Sequence, residues 1–200
     1  MRVLVVLAHP DPASFGAELD RVVRAALESA GHEVRHFDLH AEGFDPSFSL
    51  FERLHHTGPP EEKIAQFPAL GPHVDALRWC EALVLVYPTW WSGQPAILKG
   101  WVDRTFMQGV AWELPEGSDR LRPLLRNIRS VCVVTTHGSS KLVNMLEGET
   151  GKRTVSRSMR LMFSRRARFG WVALYGLDRC PDGRRARFIR RVRRRMTRLR

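Results

Sequence analysis

Three short segments of the chain concentrate residue types that bind ligands. In the first, an apolar run ends at His9-Pro10, and Ser14, Phe15 and Gly16 stand at the mouth of an amphipathic stretch. Ser14 reads as a helix N-cap, and the free N–H groups of the helix's first turn, helped by its dipole, form a cradle for phosphate with His9 beside it. Neither G-x-G-x-x-G nor a Walker lysine is present, so the usual dinucleotide and triphosphate fingerprints are absent. Taken alone, the segment is best read as an ordinary strand-to-helix turn. In the second segment, Pro88 ends an apolar run and Thr89, Trp90, Trp91, Ser92 and Gly93 follow. Indoles at a sheet edge pack under a loop, line a dimer interface or wall a flat conjugated ligand such as an isoalloxazine. Glycine at 93 permits close approach of the backbone to such a ring. The third segment, Thr135-Thr136-His137-Gly138-Ser139, offers small donors on another strand exit. No one segment decides the matter. A fold that brings all three to one crevice joins a phosphate cradle, an aromatic wall and hydrogen-bond donors.

The elements around these segments supply such a fold. Apolar runs at Arg2–Ala8, Glu33–Leu39, Ala82–Tyr87, Ser130–Thr135 and Trp171–Tyr175 read as strands. Helical periodicity separates them, over Ser14–Ala30, His73–Cys80, Pro95–Phe106, part of 141–167 and 184–199. Residues 40–71 are irregular, with a short helix expected at Ser49–His55, and 107–127 form a second excursion. Strands alternating with helices give right-handed crossovers and a parallel sheet covered on both faces. Five strands fit the flavodoxin-like order 2-1-3-4-5. Ligands of that α/β arrangement bind at the carboxyl ends of the strands, at the switch point between the first and third. The three loops then meet there.

A chain of 200 residues suits one domain, and 44% apolar with 26% charged residues is ordinary for a globular protein. There is no run of about 18 apolar residues, so no membrane-spanning helix is expected. Val3–Ala8 is too short for a signal peptide, and the three cysteines, Cys80, Cys132 and Cys180, have neither disulfide nor metal spacing, which points to a reducing cytoplasm. The adjacent His55 and His56 lack further ligands at useful spacing, so no metal is expected. Asp103 and Arg104 read as packing or salt-bridge residues. The net charge is +11, and residues 184–200 hold ten arginines and no acid; subtracting them leaves +1 for residues 1–183. Phe188, Ile189, Val192, Met196 and Leu199 recur at helical spacing in this tail, so it reads as a docked helix with a solvated basic face. The second reading of the tail is a surface for nucleic acid or anionic membrane.

The elements "VLAHPDPASFGAEL", "YPTWWSGQPAILKGWVDRTF" and "TTHGS", with "DLHAEGFDPSFS" after the second strand, resemble the NAD(P)H:quinone oxidoreductase (flavodoxin-2) family, which also includes modulators of drug activity and potassium-efflux ancillary proteins. The likeness runs from Val3 to about Thr136 and weakens beyond Ser140. It implies a homodimer, FAD or FMN as cofactor, NADPH or NADH as donor and two-electron reduction of quinones. Carried over by position, His9, Ser14, Phe15 and Gly16 would meet the flavin's phosphate and ribityl arm. Pro88, Thr89, Trp90, Trp91, Ser92, Thr135, Thr136, His137, Gly138 and Ser139 would line its ring. Arg185 would reach toward the adenine end of FAD. Better known animal members carry a tyrosine and a histidine after the third loop as a proton relay. Here the tyrosine position falls near Lys141–Val143 and residues 141–169 contain no histidine, which leaves His137, Lys141 or solvent. Two further classes stand beside the enzyme: a regulatory subunit of a transporter, which the family includes, and a binding module using the basic tail.

Overall fold

The computed structural model describes all 200 residues. Five parallel strands form the central sheet: β1 (Arg2–Leu7), β2 (Glu33–Asp38), β3 (Ala82–Pro88), β4 (Ser130–His137) and β5 (Arg168–Tyr175). Their spatial order is β2-β1-β3-β4-β5, as expected for a flavodoxin-like sheet. The register aligns Leu7 with Val86, Pro88 with Thr136, and His137 with Tyr175, so the strand ends form one rim. The central strands are buried on both faces, which is why they read as unbroken apolar runs. β4 runs two residues beyond the expected Thr135, carrying Thr136 and His137 into the ladder, since Thr89 N donates to Thr136 O at 2.8 Å and extends the pairing.

On one face lie α1 (Phe15–Ser29) and the closing helix. Ser14 accepts from Ala17 N and starts α1; Gly31, at φ 76, supplies the left-handed turn that ends it. Leu19, Val23 and Leu27 are fully buried against the sheet, each worth about 1.5–3 kcal/mol. On the opposite face lie α2 (Leu50–Leu54), α3 (Pro60–Gln66), α4 (Gly71–Trp79) and α5 (Ala96–Thr105). The short helix expected at Ser49–His55 forms, closed by a reciprocal Ser49–Glu52 capping box. Glu52 also accepts from Arg104 Nε of α5 at 2.7 Å, and both side chains are buried. Arg104 donates a second bond to Asp45 O at 2.7 Å, and Asp103 pairs with Lys99. Gly100 is required here, because a Cβ would stand 2.2 Å from Pro46 O.

Residues 107–127 make a small ribbon pairing Trp112–Glu113 with Arg122–Pro123. After β4 come α6 (Lys141–Leu146), α7 (Thr150–Arg153), a π turn at Thr154–Ser158 and a 3₁₀ turn at Met159–Met162. The last helix, α8 (Asp182–Met196), begins two residues earlier than expected and ends before Leu199. Its apolar stripe nevertheless docks on the α1 face: Phe188, Val192, Met196 and Leu199 are all buried. The three cysteines are free and buried, and burial pushes the Cys80 thiol up to about 12. No helix is long and apolar enough to cross a membrane.

Candidate functional site

The loop leaving β1 folds around a histidine. Asp11 N donates to His9 Nδ1 at 3.1 Å, so a neutral His9 carries its proton on Nε2. Desolvation lowers its pKa, favouring that neutral form. The Ser14 hydroxyl is consumed locally: it donates to Asp11 O and accepts from Ala17 N. The N–H groups of Phe15 and Gly16, the first of α1, make no hydrogen bond within the chain. A Cβ at Gly16 would stand 2.8 Å from His9 Cδ2, so glycine lets the histidine lie against the helix mouth. Across from them, the Arg185 guanidinium lies 5.9 Å from the Phe15 ring centroid, and its Nε is buried with no partner.

The loop leaving β3 has a geometry its sequence hides. Trp90 N and Gly93 O, and Gly93 N and Trp90 O, pair reciprocally around Trp91 and Ser92. Both central residues have positive φ, 47° and 58°, the mark of a type I′ turn usually built from Asn-Gly. Holding a tryptophan there costs on the order of 1–3 kcal/mol. Bonds to Ser92 O from Gly151 N (2.8 Å) and Thr150 Oγ1 (2.6 Å) hold the turn in place, and Gln94 Nε2 donates to Gly151 O at 2.9 Å. The Ser92 hydroxyl also donates to Glu147. Within the chain a close backbone approach is made at Gly151, whose Cβ would lie 3.1 Å from Ser92 O, whereas a Cβ at Gly93 would meet no chain atom nearer than 3.7 Å. The turn throws its rings outward: Trp91 is 102% and Trp90 46% exposed, and neither contacts another aromatic ring of the chain.

On the β4 exit, Thr135 Oγ1 bonds Thr89 Oγ1 at 2.9 Å, and Thr89 Oγ1 lies 3.4 Å from His137 Nε2. Thr135, Thr136 and His137 are buried, whereas Gly138 and Ser139 are exposed. The His137 ring stacks on Tyr175 at 4.4 Å and 19°, and its Nδ1 is buried without a partner. Desolvation lowers the His137 pKa, so the ring is neutral at pH 7. Tyr175 was not foreseen as a neighbour of the site. It became one because the β4–β5 register sets it level with His137. Buried Asn144 was missed as well; it donates to Ser139 Oγ at 2.7 Å and Ser140 O at 2.9 Å, fixing the third loop. Lys141 is exposed at the start of α6 and makes no bond to His137 or Thr89. The space enclosed between Thr89, His137, Asn144 and Tyr175 is only about 10 Å³. That space is too small to admit a tricyclic ring.

A family of flavodoxin-like fold, Flavodoxin_2, matches residues 1–184. The chain belongs to this family. The rat NAD(P)H dehydrogenase [quinone] 1 is 31% identical over 169 residues, 77% of this chain and 60% of the rat protein. An NAD(P)H:quinone oxidoreductase from Methanothermobacter marburgensis is 25% identical with a TM-score of 0.78, covering 99% of this chain and 98% of that one. Smu.1420 from Streptococcus mutans UA159 is 27% identical with a TM-score of 0.81, covering 98% of this chain and 99% of that one. The chain spans between 49% and 65% of the length of the first curated relatives it matches. Together the three loops present unused N–H groups at the mouth of α1, exposed indoles on the β3 turn and hydroxyls on the β4 exit, with the Arg185 guanidinium of α8 across from the first. The unpartnered Nδ1 of His137 and Nε of Arg185 are polar atoms that the chain alone leaves unsatisfied.

Proposed function

We propose that this protein is a flavin-dependent NAD(P)H:quinone oxidoreductase, its flavin held across the rim of β1, β3 and β4. One observation carries the reading: the three loops converge at the switch point, and the strained β3 turn presents Trp90 and Trp91 outward. Covering one indole buries about 150–250 Å², worth roughly 4–6 kcal/mol, so a planar ligand repays the strain. The bound flavin would supply the centre that accepts hydride from a nicotinamide and passes it to a quinone. The chain's part is binding and orientation. Phe15 N–H, Gly16 N–H, His9 Nε2–H and Arg185 hold the phosphate end. Trp90, Trp91, Thr89 and Ser92 position the ring, with Thr136, His137, Gly138 and Ser139 on its other side. Neutral His137 keeps Nε2 against Thr89 and its ring against Tyr175, bracing the β4 exit; its Nδ1 is buried away from the rim, so solvent rather than a tyrosine–histidine relay supplies the acceptor's proton.

Trp91, fully exposed in one chain, supports a homodimer in which a second copy completes the ring's surroundings. One open face serving donor and acceptor in turn makes the kinetics ping-pong. FMN fits better than FAD, because Arg185 sits over Phe15 at the phosphate end rather than further out. The test is the absorption spectrum of the purified protein, release and chromatographic separation of the cofactor, and stopped-flow reduction by NADH and NADPH followed by reoxidation with a benzoquinone. A colourless protein that takes up neither FMN nor FAD defeats the proposal.

A further inference from the structure

β5 is the edge of the sheet, and its outer side is bare. Arg168 N donates to Arg129 O and Gly176 N to Ser139 O, both at 2.9 Å, so the even-numbered residues of β5 face β4. By the alternation of a parallel strand, Phe169, Trp171, Ala173 and Tyr175 turn their N–H and C=O groups away from the sheet. No hydrogen bond in the chain reaches any of these eight groups. Natural sheets rarely leave such a row unguarded.

The guard is the basic face of α8. Arg184, Arg187, Arg191 and Arg194 recur at helical spacing over about 15 Å, and Arg198 follows in the turn after α8, against about 23 Å for β5. None of the five forms an ion pair within the chain. They line two adjoining hollows along the strand edge, of about 510 and 410 Å³. The first takes Ala173 and Tyr175 with Arg184 and Arg187; the second takes Phe169 with Arg194 and Arg198; Trp171 and Arg191 border both. Helix row and strand edge therefore run antiparallel alongside one another. The first hollow adds Lys141 and Lys152; its one carboxylate, Glu149, is paired with Lys152 at 2.9 Å. On the sheet's other face, Phe169, Trp171 and Tyr175 are half-buried and present rings beside the same edge, and Trp171 Nε1 has no partner.

We propose that the β5 edge is a docking site for an extended acidic segment of another protein, which adds a sixth strand and sets carboxylates against the α8 arginines. A strand edge offers carbonyls as well as N–H groups. A peptide satisfies both, whereas a nucleic-acid backbone supplies acceptors only and would meet the carbonyls unfavourably. A second copy of this chain is disfavoured, since edge-to-edge pairing would set two arginine rows side by side. The row that keeps copies apart thus selects a strand of opposite charge. Because side chains alternate, the fitting sequence is acidic at every second residue toward α8 and apolar between, toward Phe169, Trp171 and Tyr175.

The test uses the full chain with its flavin and two capped eight-residue peptides of equal charge, one alternating Glu and Val, the other four Glu followed by four Val. By fluorescence anisotropy the alternating peptide binds more tightly, and Arg187→Glu/Arg191→Glu weakens it by about tenfold or more. Ala173→Pro removes one outward N–H without touching the β4 ladder and weakens it similarly. Amide exchange followed by NMR slows at Phe169, Trp171, Ala173 and Tyr175 on addition of the peptide and is unchanged at the even-numbered residues. The proposal is overturned if the two peptides bind alike, if those four amides gain no protection, or if single-stranded DNA binds more tightly than the alternating peptide and Ala173→Pro leaves both unaffected. Should Ala173→Pro fail to fold, the exchange pattern in the wild-type protein decides.

Discussion

Removing the Glu52 carboxylate tests what pins residues 40–54 onto α5, the helix that follows the tryptophan turn. Glu52 is 1% and Arg104 5% exposed, with 2.7 Å between them, so Glu52→Ala leaves a buried guanidinium with Asp45 alone, whose carbonyl accepts at 2.7 Å and whose exposed carboxylate stands 3.8 Å away. Breaking one side of a buried pair costs about 3–5 kcal/mol. The capping box that Glu52 closes with Ser49 adds up to about 1 kcal/mol. The two losses share a side chain, so about 4 kcal/mol is the expected total. For a chain of this size that lowers Tm by roughly 8–16 °C, a large part of the 5–15 kcal/mol that a native protein has. Calorimetry and urea unfolding give the figure, with unchanged m showing that the unfolded state is not altered. Glu52→Leu/Arg104→Met, which removes both charges, recovers most of the loss. A shift below about 1 kcal/mol in Glu52→Ala, or a double variant less stable than either single one, refutes the claim that this pair is desolvated and mutually dependent.

Four further outcomes are expected. Trp91→Ala, at a wholly exposed position, leaves stability within about 0.5 kcal/mol but weakens flavin retention or turnover; wild-type values for both would sink the rim assignment. Gly16→Val drives a side chain into His9, 2.8 Å from the would-be Cβ, and weakens flavin affinity by about tenfold in a fluorescence titration; an unchanged dissociation constant removes His9 from the cradle. His73 accepts from Trp101 Nε1 and burial holds its pKa at about 4, so the unfolded chain takes up a proton near 6.5 that the folded chain refuses. Stability is therefore full above pH 6.5 and declines as pH falls toward 4, by at most about 3 kcal/mol, partly offset by Glu42, whose carboxyl burial raises. His73→Asn should flatten that decline in pH-dependent denaturation, and an equally steep curve argues against it. His137, lowered by desolvation, keeps turnover flat through pH 6.5 on the acid side, and a break at the ordinary histidine value contradicts its burial.

How legible the fold was depended on where each signal resides. Val3–Leu7, Ala82–Val86 and Val131–Val134 are buried on both faces, so their strands stood out as apolar runs and their order followed from the crossovers. Ser14 and Ser49 announced their helices because a cap is a local device. The type I′ turn at Trp91 and Ser92 could not be read, since neither residue is the glycine or asparagine that marks such turns; ties from Thr150 and Gly151, far along the chain, hold it. The polar Thr136 and His137 hid the last two residues of β4. Glu52 and Arg104 lie 52 positions apart and meet only when the fold is formed. That the three loops share one rim was legible from strand order and residue types, whereas Tyr175 and Asn144 join the candidate site through strand register and loop closure.

The concealment of the three thiols bears on the chemistry proposed here. Quinones are electrophiles that add soft sulfur nucleophiles irreversibly, and the thiolate is the attacking form. At pH 7 a thiol with a pKa of about 12 is ionised in only about one molecule in 10⁵, and Cys80 and Cys132 have no surface for a quinone to reach. Under the proposed quinone chemistry, Cys80 and Cys132 are thereby kept out of reach of the electrophile that each turnover would bring.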